Sequence, residues 1–505
     1  MKKILLTAAL LLLVGITASA YSFKAGRLCY NITGTNTVAV TFENNTDASS
    51  IYPAYETLSG NITIPETVYN GGNAYTVTAI TDFAFFKCTL LTGITIPKTV
   101  KTIGQYVFAC GTTPSTISSL SRVIFAEDSE LTSIGNYAFA TTRITEVAIP
   151  NTVTTIGDDA FRYTLLEKFN IPPRIQTMGE GVLSICTCLT NVSIPTVLTE
   201  LPKRTFQGCG SLTNIGLPAT MTAIGDYAFF GAGLTSINLP SSLTTIGAYS
   251  FRSTKLTSIT IPSSVTTIGG NAFESTQLTT VTIPSSVTSI GGRTFSGVAT
   301  MKTAKIQNSI ISDSEFEYCT NLEEVTIESG VESIGNYSFY ECPSLKTLKI
   351  NSALATDINQ YFGDIKPTLK TVKIDNAVTA IPENAFLDCA ALETITIPST
   401  IASIGNSAFS GCSALREFYS LMERPISIDE SVFNGVQQHG YCDLHVPEGS
   451  KFRYEAMEVW KEFASITEDA GHPSQTGIKG DVNGDGVVSA TDISIIVNIL
   501  AGLEQ

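Results

Sequence analysis

The sequence predicts a repeat solenoid, mostly β, in which short parallel strands alternate with turns and short helical segments. Three observations support this fold class. The stretch 256–273, LTSITIPSSVTTIGGNAF, recurs with small changes from about residue 60 to about residue 447. An Ile-Pro dipeptide marks most copies and returns about every 22 to 24 residues, a spacing typical of solenoid repeats. At 505 residues the chain exceeds what one core usually organises, whereas a solenoid grows in one dimension.

The first half of each unit is predicted to be a short strand. In the copy at 256–273, the apolar Leu256 is followed by two polar residues, and apolar and polar residues then alternate from Ile259 to Ile261. This pattern places Ile259 and Ile261 on the inward face of the strand. Pro262 ends the strand because proline has no N–H to donate to a ladder.

The second half of each unit closes on a recurring phenylalanine. Val265 and Ile268 form a second apolar pair, and Gly269 is expected to permit the turn after them. One unit cannot bury its apolar face alone, so stacked units should gather rings such as Phe273 into a buried column. The phenylalanine recurs at Phe85, Phe108, Phe139, Phe161, Phe206, Phe229, Phe251, Phe295, Phe316, Phe339, Phe386 and Phe409, and Leu183 replaces it once.

The consensus I-P-x-x-V-T-x-I-G-x-x-A-F-x-x-C-x-x-L-T resembles the BspA-like class of leucine-rich repeat proteins over roughly residues 60–447. Members of that class are mostly surface or secreted proteins of host-associated microbes. They are linked to adhesion to host matrix proteins, host cells and other bacteria. The resemblance therefore implies a leucine-rich repeat solenoid with a protein-binding, non-catalytic function.

Composition and the N-terminus indicate a compartment and exclude some partners. Only 15% of the residues are charged and the net charge is −15, which disfavours wholesale binding to nucleic acid or anionic membranes. Residues 1–20 combine Lys2 and Lys3, an apolar run and Ala18-Ser19-Ala20, a pattern typical of a cleaved signal peptide. A membrane anchor is the alternative, but the apolar run is shorter than the about 20 residues of a membrane span. We expect a secreted protein with no transmembrane segment after signal cleavage.

The chain has 11 cysteines, which in a secreted protein raises the question of disulfides. Their positions favour small buried residues instead, because six of them lie three residues after the repeat phenylalanine. Gly or Ser is expected in that slot elsewhere, and Cys186 and Cys188 are poorly spaced for zinc. The six are Cys88, Cys209, Cys319, Cys342, Cys389 and Cys412.

The array is predicted to carry a cap at each end. Residues 21–60 contain alternating or β-branched runs at 26–32 and 38–42, which predict a β-hairpin cap before the solenoid at 61–447. Residues 448–468 should form a C-terminal cap, and 469–479 a linker. In that cap, apolar residues at spacings of three predict one apolar face of a short helix. The alternative is that the tryptophan forms a platform for a ligand. That face would hold Tyr454, Met457, Trp460, Phe463 and Ile466.

Residues 480–505 fit a calcium loop followed by a helix at 493–500. The pattern D-x-N-x-D-G-x5-D supplies the hard oxygen ligands that calcium prefers, with Gly486 at the sharp turn. A metal-free surface turn is the alternative. The segment resembles one half of a type I dockerin, which implies docking to a cohesin-like module, although a full dockerin carries two such loops. The predicted ligands are Asp481, Asn483, Asp485, Val487 (through its carbonyl), Ser489 and Asp492.

No catalytic motif is present, and of the three histidines His445 is expected to be an ordinary strand residue. A ligand face is therefore sought among outward-facing strand residues. The middle units present Ser236, Asn238, Ser258, Thr260, Thr280 and Thr282, which either bind a ligand or simply suit strands. Later units present Lys305, Lys349 and Lys373, preceded by Lys302, Lys346 and Lys370, which form either a patch for an acidic partner or a solvated edge.

The sequence thus predicts a non-catalytic, secreted or cell-surface adhesin or binding protein that recognises a host or bacterial surface protein or glycan. The alternative is a non-catalytic component of an extracellular polysaccharide-degrading complex, recruited by the module at 480–505. An unrecognised hydrolase is a third class of function, but the sequence contains no motif that supports it.

Overall fold

A computed structural model describes residues 21–43, 55, 58–113, 117–352, 362, 365–436 and 438–469. The chain folds as a β-solenoid of about 16 turns with parallel strands and almost no helix, as predicted. It divides into two units, residues 1–276 and 277–505. The predicted signal peptide, nearly all of the linker and the calcium module lie outside the described residues.

The first unit begins with an antiparallel hairpin. Strands β1 (Phe23–Ala25), β2 (Leu28–Gly34) and β3 (Thr37–Thr41) pair in sequence, and β3 then joins β6 (Asn73–Ile80) in parallel. Strand β5 (Thr67–Asn70) pairs with β6 in the antiparallel sense. The hairpin therefore covers the first parallel strand of the stack.

The main ladder of the first unit runs through two-residue strands at the second apolar pair of each repeat. These strands pair in parallel and in register in two runs, one from Thr102 to Met178 and one from Glu200 to Ile268. Each strand offers one buried aliphatic side chain, except the strand that ends at the half-buried Met178. They are β8 (Thr102–Ile103), β10 (Ser133–Ile134), β11 (Thr155–Ile156), β13 (Thr177–Met178), β15 (Glu200–Leu201), β16 (Ala223–Ile224), β17 (Thr245–Ile246) and β18 (Thr267–Ile268).

The strand predicted before each Ile-Pro forms in only part of the first unit. It is present as β4 (Gly60–Thr63), β7 (Leu91–Ile96), β9 (Arg122–Phe125), β12 (Lys168–Asn170) and β14 (Asn191–Ser193). It is absent at 145–149, 213–217, 235–239 and 257–261, so the strand predicted for Ile259 and Ile261 is wrong. In the last three of these segments, consecutive turns share a single backbone hydrogen bond at the start. The bonds run from Thr235 N to Thr213 O (3.0 Å) and from Thr257 N to Thr235 O (3.5 Å).

A third ladder, absent from the prediction, runs along the corner that holds the phenylalanines. In the turn around Phe251, the N–H groups of Tyr249, Phe251 and Ser253 donate to carbonyls of the next turn at 2.9, 2.8 and 2.9 Å. All three can point the same way because Tyr249 and Ser253 adopt φ of +58°. The left-handed conformation at these two positions recurs in most turns, although few of the residues are glycine.

The predicted phenylalanine column is confirmed. Phe229, Phe251 and Phe273 are fully buried and stack with ring centroids 5.3 Å apart at each step. The interplanar angles of 12° and 3° show nearly parallel rings. In the second unit, Phe362 continues the stack from Phe339 at 4.7 Å.

Gly269 allows the turns to pack closely and does not provide a positive φ, contrary to the prediction that it permits the turn. It has no positive φ, and a Cβ placed on it would lie 2.3 Å from the backbone nitrogen of Ala248 in the preceding turn. Gly247 meets Asp226 N at 2.6 Å in the same way. Glycine is therefore required here because the turns approach too closely for any side chain.

In the second unit the strands at the repeat position that Ile-Pro marks form one continuous parallel sheet, which two C-terminal strands extend to nine. They are β19 (Thr280–Ile283), β21 (Thr303–Ile306), β23 (Glu324–Ile327), β25 (Thr347–Ile350), β26 (Thr371–Ile374), β28 (Thr394–Ile397), β30 (Glu417–Ser420), β31 (Asp443–His445) and β32 (Ser465–Thr467). Short strands are β20 (Ser289–Ile290), β22 (Ile310–Ile311), β24 (Ser333–Ile334), β27 (Ala380–Ile381) and β29 (Ser403–Ile404), with β22–β24 and β27–β29 paired.

The single helix predicted for 448–468 is wrong. The segment contains a short helix α2 (Lys451–Glu455), a 3-10 turn at Trp460–Glu462 and strand β32, while α1 (Gln438–Tyr441) lies before β31. Trp460 is fully buried against Phe418 and Phe433, and its indole nitrogen donates to Ile426 O at 2.8 Å. The apolar residues spaced by three in the sequence therefore lie on three different elements that share one buried region. Because Trp460 is fully buried, its ring has no exposed face for a ligand.

All eleven cysteines lie in the described part and none is paired. Those after the repeat phenylalanine are buried, and Cys319 and Cys342 each donate through Sγ to the phenylalanine carbonyl of the previous turn at 3.2 Å. Cys186 follows Leu183 in the same slot and bonds likewise to Phe161 O. Other turns place Thr there, as in Thr142, Thr164, Thr254 and Thr276, rather than the Gly or Ser expected.

Candidate functional site

The candidate binding surfaces are the solvent-facing sides of the strands. In the second unit, Lys305, Lys349 and Lys373 lie in one row of the nine-stranded sheet, since register pairs Lys305 with Thr326, Thr326 with Lys349 and Lys349 with Lys373. Their side chains are exposed, as the alternation predicts. The sheet therefore brings the three sequence-predicted lysines onto one face.

Each of these lysines has a carboxylate partner. The Nζ atom of Lys305 lies 2.9 Å from Glu328 Oε1, and that of Lys349 lies 2.7 Å from Glu324 Oε1. Lys373 lies 3.5 Å from Asp375. Each positive charge of the row is thus balanced by a nearby carboxylate outside the row. Exposed pairs of this kind are individually weak, about 0–1 kcal/mol.

In the first unit, the outward side chains Ser236, Asn238, Ser258 and Thr260 border a groove between separated turns. Its cavity is about 360 Å³ and is lined by residues 236–239, Ser241, 258–260 and Pro262. The floor is formed by Ile237 and Ile259. A wider opening of about 550 Å³ lies near Ile149 and Asn170, where the same face is again interrupted.

The separation of the turns exposes part of the core. Leu239 and Ile259 are half-buried, whereas the corresponding Ile283, Ile306 and Val325 of the second unit are at most 2% exposed. The difference follows from the missing ladder at 235–261, since hydrogen-bonded strands at about 4.8 Å leave no room between turns.

His445 lies on β31, as expected for a strand residue, and is mostly buried. Its Nε2 is 2.6 Å from Glu417 Oε2, its Nδ1 is 2.7 Å from Asp469 Oδ1, and its ring stacks on Tyr419 at 4.2 Å. Sequence reasoning missed these partners because they lie 28 and 24 residues away. The arrangement ties strands β30 and β31 to β32 and the chain after it, since Thr467 Oγ1 also lies 3.0 Å from His445 Nδ1.

The predicted calcium ligands, Asp481 to Asp492, lie outside the described residues, so the loop stays a prediction. Within the part of the chain that is described, no cluster of His, Cys, Asp and Glu has the geometry of a metal site. No helix in that part is long and apolar enough to cross a membrane.

These stacked turns define a leucine-rich repeat solenoid, a non-enzymatic kind of fold. The model of the BspA type leucine rich repeat region matches residues 61–186, 115–231, 199–312 and 309–439. These ranges together cover more than half of the chain, which therefore belongs to the BspA-type leucine-rich repeat family.

Solved structures of leucine-rich repeat proteins are similar to this chain. A leucine-rich repeat protein from Bacteroides ovatus is 26% identical with a TM-score of 0.60, and the match covers 79% of this chain and 94% of that one. A leucine rich cell surface protein from Faecalibacterium prausnitzii is 25% identical over the same shares, 79% and 94%, with a TM-score of 0.40. No curated protein matches the sequence significantly.

Proposed function

We propose that the protein is a non-catalytic adhesin or binding protein, secreted or held at the cell surface, that recognises a protein or glycan through its repeat surface. The observation that carries this proposal is the nine-stranded sheet of the second unit, whose solvent face presents the row of Lys305, Thr326, Lys349 and Lys373. Leucine-rich repeat proteins commonly bind proteins, and BspA-type members are typically secreted or at the cell surface.

The signal peptide at 1–20 supports export, and the calcium loop at 480–505 supplies an alternative function. In that alternative, the protein is a non-catalytic component of an extracellular polysaccharide-degrading complex, recruited through a cohesin-like partner. The sequence pattern D-x-N-x-D-G-x5-D is the support for it.

The test compares the mature chain with a variant ending at Ser474. Both are applied to immobilised host matrix proteins, to bacterial cells and to a cohesin module, with and without calcium. Retained surface binding after truncation supports the adhesin. Calcium-dependent cohesin binding that is lost on truncation supports the alternative, and failure to bind any of these surfaces contradicts both.

A further inference from the structure

We propose that the uncharged groove of the first unit, formed by residues 236–241 and 258–262, binds a neutral oligosaccharide. This inference rests on the proposed binding function and names a ligand class for one particular surface. Its cavity of about 360 Å³ lies at the small end of the about 300–1,000 Å³ typical of ligand sites.

The groove exists because a ladder is missing. The two turns are joined at their start by the bond from Thr257 N to Thr235 O, and within the described chain no backbone hydrogen bond joins 236–239 to 258–261. Backbone N–H and C=O groups in these segments therefore face the groove or water, where a ligand's hydroxyls can reach them.

The lining carries no charged side chain, and its polar groups are neutral. No Asp, Glu, Lys or Arg occurs in residues 233–242 or 256–264. Asn238 offers both donors and an acceptor, while the hydroxyls of Ser258 and Thr260 can each donate and accept. Sugar hydroxyls both donate and accept hydrogen bonds, so they match such partners. A neutral ligand also has no charged group that would lose its hydration on binding.

The floor is apolar and already partly exposed. Ile259 is half-buried, and both Ile259 and Pro262 line the groove. The C–H face of a pyranose ring can cover these groups while its hydroxyls meet the polar rim. The groove thus has the amphipathic character of a sugar ring.

Other ligand classes fit less well. An added peptide strand needs a free sheet edge and about 4.8 Å on each side, whereas the turns here stand at hydrogen-bond distance at Thr235 and Thr257. Nucleic acids and sulfated glycans need basic residues, which this lining lacks.

The test uses calorimetry on the mature chain with the hexasaccharides of cellulose, xylan, laminarin and mannan as neutral probes and hexagalacturonate as an anionic probe. We expect at least one neutral probe to bind with an affinity that salt does not change. Hydrogen exchange in residues 233–262 should slow when it is bound.

The variant Asn238→Leu with Thr260→Val removes the polar groups at similar side-chain size and should weaken binding at least about tenfold. Thr326→Val is the matched control, since Thr326 occupies an outward position on the continuous sheet of the second unit. Both variants should show unchanged thermal unfolding.

The inference is overturned if no neutral probe binds at millimolar concentration, or if binding is equal in the double variant and the control. Salt-sensitive binding of hexagalacturonate alone also overturns it. Binding to host or bacterial surfaces without any oligosaccharide binding overturns this inference and leaves the proposed function standing.

Discussion

At the residue scale, Glu315 departs most from the repeat. It stands before Phe316, where most turns have Ala or another small residue, and it is fully buried. Its Oε2 accepts bonds from Ser312 N at 2.6 Å and Ser312 Oγ at 3.0 Å, while Oε1 has no partner among the described residues. Burial raises the pKa of Glu315 from its ordinary 4.5 to about 8, against the opposite effect of the Ser312 bonds.

Glu315 should make stability fall as pH rises. In the unfolded chain the carboxyl loses its proton near pH 4.5, whereas the folded protein keeps it to about pH 8. Between these values the unfolded state binds fewer protons, so the free energy of unfolding drops by up to about 1.4 kcal/mol per pH unit. Urea denaturation at several pH values should show this slope in the wild type. Glu315→Ala should remove it, and equal slopes in both proteins would contradict the assignment.

The phenylalanine column predicts a large cost for losing one ring. Phe251 stacks between Phe229 and Phe273, and Phe251→Ala should lower the free energy of unfolding by about 3–5 kcal/mol through lost burial and the cavity left behind. The same cost is expected for Phe273→Ala. Chemical denaturation measures it, with Phe452→Ala as the control because Phe452 is 62% exposed. A change at Phe251 no larger than the control's would show that the column is not a main stabiliser.

At the element scale, the repeat glycine controls how closely turns stack. Gly269→Ala would place a methyl 2.3 Å from backbone, which cannot move aside as a flexible side chain can. We expect a loss of about 1–3 kcal/mol in stability, the usual cost of overpacking. Gly216→Ala is the matched control, because a Cβ there meets nothing within 4 Å. Thermal unfolding of the two variants should differ clearly, and similar midpoints would refute the packing argument.

The lysine row of the second unit gives a prediction about partners. Changing Lys305, Lys349 and Lys373 together to Ser should weaken binding of an acidic partner, such as a sulfated glycan, and reduce its salt dependence. Surface binding measured at low and high salt checks this. Because each lysine is already paired with a carboxylate, stability should change by less than about 1 kcal/mol per pair. Unchanged binding would assign the row to solubility alone.

Local pattern predicts some elements and fails at others for identifiable reasons. The phenylalanine column follows from strict periodicity, and so does the outward position of Lys349. The segment around Ile259 has nearly the same sequence as β19 in the second unit, yet only β19 is a strand. Strand formation there depends on the distance to neighbouring turns, which no single repeat encodes. The left-handed backbone conformation of Tyr249 could not be predicted either, because tyrosine has no preference for positive φ.

At the scale of the whole molecule, the sequence pattern at 480–505 predicts a calcium site outside the repeat array. Calorimetric titration should show one calcium site in the mature chain, through Asp481, Asn483, Asp485, Val487, Ser489 and Asp492, and none in the variant ending at Ser474. Asp481→Ala in the full chain is a second check. Absence of heat in both chains would mean that the loop does not bind calcium by itself.

The corner ladder of the first unit has an electrical consequence. Around Phe251 all three N–H groups of one turn point to the next turn and none points back, and the turns around Phe161 and Phe229 repeat the arrangement. The peptide dipoles along that corner therefore add head to tail, as they do in an α-helix. Here the positive end faces the later turns, so the unit's corner is polarised along its stacking direction, independently of its formal charges.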